Sequence, residues 1–200
     1  MSLTGAVHSR VIFDGRVTRL AELLSPLLPS SGSLLDVGCG DGSVAAAVVA
    51  RRPDLRVRGV DVLVRPSTRI PVAQFDGTRL PFPDRSFDAV TFVDVLHHTD
   101  DPAALLAEAA RVSRGAVVVK DHVVSGVLAR PTLRLMDRVG NAHHGVRLPY
   151  NYLTESQWRA LLARVGLEVG TWTGDLRLYP VPLRWWFDRR LHVVFTARPG

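Results

Sequence analysis

Two hundred residues, 46% hydrophobic and 22% charged, suit one globular domain with a full core, expected to span 1–200. A formal charge of +6 and a pI near 10.6 fit contact with a polyanion, but the basic residues are scattered and never reach four in a row, which disfavours a nucleic-acid partner. The lone Cys39 excludes an internal disulfide and a cysteine zinc site, no metal is expected, and no run of eighteen apolar residues offers a membrane span, so a cytoplasmic protein with at most peripheral membrane contact is the expectation.

Residues 1–15 show no clear period; the segment 8–13 either covers a site or forms a loose tail. From Val17 the apolar residues Leu20, Ala21, Leu24, Leu27 and Leu28 recur at the three- and four-residue steps of a helix, which makes 1–32 an N-terminal helical segment closed by Pro29 and Gly32. A strand follows at 33–37, then a helix at 42–51 that must stop before Pro53. Further strands are expected at 56–60, 70–75, 87–93 and 116–119, with a helix opened by Asp101 and Pro102 ahead of the last. This alternation argues for an α/β fold with parallel strands, and burial on both faces explains the continuous apolar runs at 87–93 and 116–119.

Residues 123–153 break the rhythm with Pro131, Gly140, Asn141 and Pro149 around a helix near 129–138. This largest insertion is the natural place for an acceptor-binding cap. Thr154 and Gln157 form a capping box for a helix carried by Trp158, Leu161, Leu162 and Val165 and stopped by Gly166. Strands are expected within 167–178 and at 191–197. Between them, Trp185, Trp186 and Phe187 cannot share one helix face. Packing against the sheet is expected of them, with an acceptor tunnel or an arginine-flanked membrane interface as alternatives.

The stretch from Leu34 to Gly42 organises the rest. An apolar strand end, a tight glycine turn and an alanine-rich helix make a nucleotide-binding crevice, because glycine lets a ligand approach the backbone. A dinucleotide fingerprint would need glycine at Ser43; here Gly42 comes one residue early. The spacing Asp36-x-Gly38-x-Gly40-x-Gly42 instead resembles motif I of the class I S-adenosylmethionine-dependent methyltransferases. The run from Phe92 to His98 is similar to one after strand 4 in the type 11-like, small-molecule branch. The resemblance is clearest over 33–122. It implies a Rossmann-like, mostly parallel seven-stranded sheet in the order 3-2-1-4-5-7-6 with helices on both faces, S-adenosylmethionine as cofactor, and methyl transfer as the activity.

On that resemblance Asp36, Gly38, Cys39, Gly40 and Gly42 surround the methionine and ribose parts of the cofactor, with Asp36 acting through backbone or water. Asp61, nineteen residues after Gly42 at a strand end and followed by Val62, would accept bonds from both ribose hydroxyls. Asp76 and Gly77 resemble the pair at the adenine edge, and an apolar side chain from 80–82 would cover the ring. Asp94 and Val95 would lie along the methionine part.

In-line substitution at a sulfonium methyl needs no acid for the leaving thioether, but a hydroxyl acceptor needs a base, and histidine titrates near neutrality. His122, beside Asp121, and His97 are the candidate bases, with a purely structural histidine as the alternative for each. His98, His143, Tyr150 and Tyr152 are candidates to contact the acceptor. The chain carries neither an Asn-Pro-Pro-Tyr loop after strand 4 nor a Pro-Cys nucleophile, which favours a small-molecule or lipid-like acceptor methylated at oxygen. An RNA or protein methyltransferase using the basic surface, and a noncatalytic cofactor-binding protein, are the alternatives.

Overall fold

A computed structural model describes residues 3–141 and 149–200. Among them seven strands form one sheet: β1 (Gly32–Val37), β2 (Leu55–Asp61), β3 (Val72–Gln74), β4 (Phe87–Val93), β5 (Ser113–His122), β6 (Leu167–Thr173) and β7 (His192–Pro199). Their order is β3-β2-β1-β4-β5-β7-β6, as the resemblance implies. All pairings are parallel except those of β7, which runs antiparallel between β5 and β6.

Alternation along each strand divides the core in two, because successive side chains leave opposite faces of a sheet. Leu34, Ala89, Val118 and Val194 pack against Leu20, Ala21 and Leu24 of α1 (Leu3–Leu24) and Val48 of α2 (Ser43–Arg51). Their neighbours Leu35, Val90, Val119 and Val193 face the other way, toward Leu105, Leu106 and Ala109 of α3 (Pro102–Val112) and Trp158 and Leu162 of α5 (Glu155–Arg164). Burial on both sides is why the central strands read as unbroken apolar runs.

Local signals place the helix starts. The Asp101 carboxylate accepts from the N–H groups of Ala103 and Ala104 at the head of α3. The capping box of α5 is reciprocal: Gln157 N–H donates to Thr154 Oγ1 at 3.3 Å, and Thr154 N–H to Gln157 Oε1 at 2.9 Å. In the cap region, α4 (Ala129–Asn141) seats Ala129 and Leu133 against Tyr152 and Leu191.

Four expectations are corrected. The first helix begins at Leu3 rather than near Val17, and Phe13, Asp14 and Gly15, just ahead of the periodic stretch, are exposed. The edge strand β3 is only three residues long. β5 is much longer than its apolar stretch, because Lys120, Asp121 and His122 continue the ladder opposite Val194, Val193 and His192. Trp185 and Trp186 do not pack on the sheet. They lie on the short α6 (Arg184–Phe187) and are 67% and 64% exposed, while Phe187 turns inward onto Tyr179. No helix among the described residues is long and apolar enough to cross a membrane.

Losing the Thr154 hydroxyl leaves the Gln157 N–H in the first turn of α5 without its partner. Thr154→Ala is expected to lower unfolding free energy by about 1 kcal/mol, read as a lower urea midpoint with unchanged slope.

Candidate cofactor and acceptor site

The carboxyl ends of β1 and β4 part where the strand order reverses, the position at which open α/β sheets bind ligands. A cavity of about 800 Å³ opens there. Its two halves differ in chemistry.

The first half is built on the turn after β1. Gly38 takes a φ of +69°, and a Cβ on it would meet Val95 Cγ2 at 2.6 Å, so only glycine lets Val95 pack against this turn. Gly38, Cys39 and Gly40 line the cavity, as do Asp61, Val62, Asp76 and Gly77. The Asp61 carboxylate is held at the β2 end by Gly40 N–H at 2.8 Å and Leu63 N–H at 2.9 Å. Asp76 Oδ1 accepts from Thr78 N–H, Thr78 Oγ1 and Arg79 N–H, and those bonds lower its pKa. Val62 and Leu63 are half exposed along the same wall, an apolar surface beside two fixed carboxylates.

Four residues of the expected set do not line the cavity, Asp36 among them in keeping with an indirect role. Gly42 is covered by Ile70, whose Cγ1 lies 2.5 Å from where a Cβ would sit, and it does not line the cavity. Asp36 also lies behind the lining. Burial raises its pKa to about 7, against the opposing hydrogen bond from Thr91 Oγ1 at 2.8 Å. Leu80 belongs to the hydrophobic core, and Phe82 packs edge-on to Phe87; the cavity wall expected of 80–82 is supplied by Phe75. Cys39 does line the turn, but burial and then the Asp36 and Asp61 charges push its thiol pKa up, which leaves it unreactive.

The second half is a buried polar cluster. Asp94 follows β4 in the left-handed region, with φ +57°. Its carboxylate takes charged hydrogen bonds from Arg16 of α1 and Lys120 of β5. Lys120 is the chain's only lysine, is 0% exposed, and lies 3.3 Å from His192 Nδ1. Burial works against the Asp94 charge, yet Lys120 and Arg16 hold its carboxyl well below the usual range. Val95, beside it, lines the cavity over Gly38.

His97 sits in a short 3-10 helix, 96–98, with Nδ1 2.5 Å from Asp121 Oδ1. Asp121 Oδ2 accepts from Leu96 N–H at 2.9 Å, which fixes this carboxylate beneath the ring. Burial disfavours a charged His97, but Asp121 and then Asp137 outweigh it and raise its pKa to about 10. A ring held protonated at neutral pH is a poor base, so the expectation for His97 is corrected. Burial and the His97 charge bring His98 down to about 4.

His122 is different. Its pKa is lowered by burial and by the His97 charge, against the pull of Asp137, so the ring is neutral. Its Nε2 lies 3.5 Å from Asp137 Oδ1, and Nδ1 has no hydrogen-bond partner among the described residues. The chain holds it from both sides: its N–H donates to Asp121 Oδ1 at 2.6 Å, and its carbonyl accepts from Trp158 Nε1 at 3.0 Å. His97, His98, His122 and Asp137 all line the cavity.

Tyr152, expected at the acceptor, is buried behind the cavity and donates its hydroxyl to Asp137; that bond and burial raise its pKa. Tyr150 is also off the cavity lining, with the Arg134 guanidinium 5.5 Å from its ring centroid. His143 lies outside the described residues. Sequence reasoning missed Arg16, Asp137 and Lys120. Only the last carried a signal, as a lone lysine ending a strand.

Three comparisons bear on this geometry. A family model described as a methyltransferase domain matches residues 10–171. The chain belongs to this methyltransferase-domain family. Relatives of this methyltransferase domain include the 27-O-demethylrifamycin SV methyltransferase of Amycolatopsis mediterranei, 33% identical over 48% of this chain and 41% of that protein. The demethylmenaquinone methyltransferase of a Roseiflexus species is 40% identical over 58% of this chain and 52% of that protein. The chain thus spans about half the length of these relatives. An S-adenosylmethionine-dependent methyltransferase structure from Mesorhizobium loti superposes with a TM-score of 0.66 at 20% identity, over 88% of this chain and 96% of that one.

The first half of the cavity fits S-adenosylmethionine. A glycine turn lining the cavity at Gly38 and Gly40, two anchored carboxylates and an apolar wall match its amino-acid end, its hydroxyl and amine donors, and its flat adenine. The cofactor of this domain is S-adenosylmethionine.

Two outcomes follow from these contacts. Asp61→Ala removes a charged acceptor of a kind that contributes about 1.5–3 kcal/mol, so calorimetric affinity for S-adenosylmethionine should fall roughly 10- to 100-fold. Asp36 holds its proton in the folded state above the pH at which the unfolded chain releases it, so this contribution to stability is lost as pH rises toward about 7. Asp36→Asn should therefore gain stability relative to the parent between about pH 5 and 7, by roughly 1 kcal/mol per unit, and the difference should level off above. Chemical denaturation across pH reads it.

Proposed function

We propose that this protein transfers a methyl group from S-adenosylmethionine to a hydroxyl of a small-molecule or lipid-like acceptor, with His122 as the base. The observation that carries the reading is the neutral, buried His122, which opens on the same cavity as the cofactor-holding carboxylates. The names of the relatives support the acceptor class: one acts on a demethylrifamycin and one on demethylmenaquinone.

When bound, the cofactor supplies an electrophilic methyl on a sulfonium. The chain's residues do the rest. The glycine turn at Gly38 and Gly40 takes the amino-acid end, Asp61 takes the ribose hydroxyls, and Asp76 takes the adenine amine. Asp137 faces His122 Nε2 and favours the tautomer with the proton there, which leaves the lone pair on Nδ1. His122 Nδ1 accepts the acceptor's hydroxyl proton as the oxygen attacks. His97, held cationic by Asp121 and Asp137, and Arg16 at the cavity wall favour an acceptor that becomes anionic. The wall of Phe13, Val17, Leu20 and Tyr179 beside them offers an apolar acceptor body somewhere to lie.

The test is incorporation of label from methyl-labelled S-adenosylmethionine into a fractionated extract of the source cells. Label that enters organic solvent and survives nuclease and protease supports the reading; label lost on nuclease or protease treatment overturns the acceptor class. With an acceptor in hand, His122→Ala should lower kcat by roughly 10²–10³ with little change in cofactor affinity. Because burial keeps the His122 pKa below the ordinary 6.5, the parent's kcat/KM should be flat through neutrality and fall only on the acid side. A parent profile that falls already at pH 7 to 8 would point to another base.

A further inference from the structure

The polar end of the cavity has unfilled coordination capacity that proton transfer by His122 does not use. His97 Nε2 and His98 Nδ1 are both buried and have no hydrogen-bond partner among the described residues, and His97 is 1% exposed. Each is a group that normally finds a partner when buried. Ring nitrogens of the two histidines and a carboxylate oxygen of Asp137 all lie within 4.8 Å of one another.

We propose that His97 Nε2, His98 and Asp137 form a binding site for a divalent transition metal of the zinc type. The separation of His97 Nε2 from Asp137 Oδ2 is 3.4 Å, and the two are not aligned for a hydrogen bond. It matches the edge of a coordination tetrahedron, about 3.3 Å for metal–ligand bonds of 2.0–2.1 Å. The surroundings are those a metal-bound histidine needs. Asp121 accepts from His97 Nδ1–H, an arrangement that in the neutral, metal-binding ring would leave the lone pair on Nε2, which faces Asp137. Tyr152 donates to Asp137 and orients that ligand.

A second cluster, Asp94 with His122 and His192, is a poorer candidate, because Lys120 already sits against both Asp94 and His192.

Three protein ligands facing a cavity leave a coordination position for a ligand oxygen, the arrangement of catalytic rather than structural zinc. There the metal would bind the acceptor hydroxyl and lower its pKa, so that His122 removes the proton more easily. This role rests on the proposed methyl transfer; metal binding does not.

The experiment titrates Zn²⁺ into chelator-treated protein by calorimetry, without cofactor or acceptor, and Co²⁺ into a parallel sample by visible absorption. The expected result is one ion per chain with the intense bands of four-coordinate cobalt, and at least 10-fold weaker binding in both His98→Ala and Asp137→Asn. Thermal melting and S-adenosylmethionine affinity verify that the variants are folded. A parent chain that binds no stoichiometric metal overturns the site. So does binding that persists at parental affinity in folded His98→Ala, or that disappears only in a His143→Ala/His144→Ala variant. Metal binding without any methyl transfer would count against the proposed function and leave the site standing.

Discussion

The contact on which both halves of the molecule depend is the Asp94 carboxylate, bridged by Arg16 and Lys120 at the end of β4. It ties α1 on one face of the sheet to the middle strands. It also holds the residue after β4 in a left-handed turn that few side chains adopt. From that turn Val95 packs over Gly38, which joins the acceptor side to the cofactor side. Of the three groups only Lys120 is fully buried, and its charge is costly there unless Asp94 pairs with it. The geometry of the cavity and the integrity of the sheet edge therefore rest on one set of ion pairs.

The same edge separates two neighbouring histidines by environment rather than by distance. The rings of His97 and His122 are 4.5 Å apart, yet the first is held charged and the second neutral. Asp121 makes the difference: its side chain bonds His97 Nδ1, while His122 meets it only by donating its backbone N–H to the carboxylate. Once His97 is charged, its field and the burial of His122 act in the same direction. Environments that push two like groups apart are how one site can hold both a fixed cation and a base.

The cofactor side works by shape and needs little electrostatic tuning. Gly38 lets Val95 pack close, Gly40 and Leu63 donate to Asp61, and Thr78 and Arg79 donate to Asp76. All of these are contacts within a few residues of a strand end. The acceptor side is assembled from α1, β4, β5, α4 and the segment at 150–152, none of them close together in sequence.

That contrast explains what was legible in the sequence. Periodicity and strand–helix alternation are local, and they carried the parallel strands and both capped helices; the sheet order came with the family resemblance, and the structure brings Gly38, Asp61 and Asp76 to one cavity. The local signals failed where tertiary contacts override local pattern. Lys120, Asp121 and His122 continue a strand because β7 pairs with them, and helix α1 reaches back to Leu3 through sequence that shows no clear period. The exposure of Trp185 and Trp186 follows from a short helix that turns only Phe187 inward. Which histidine is charged, and that Asp137 and Arg16 belong to the site at all, was decided by the folded chain alone. A pKa depends on burial and on charges brought from distant positions, and no spacing along one strand of sequence encodes either.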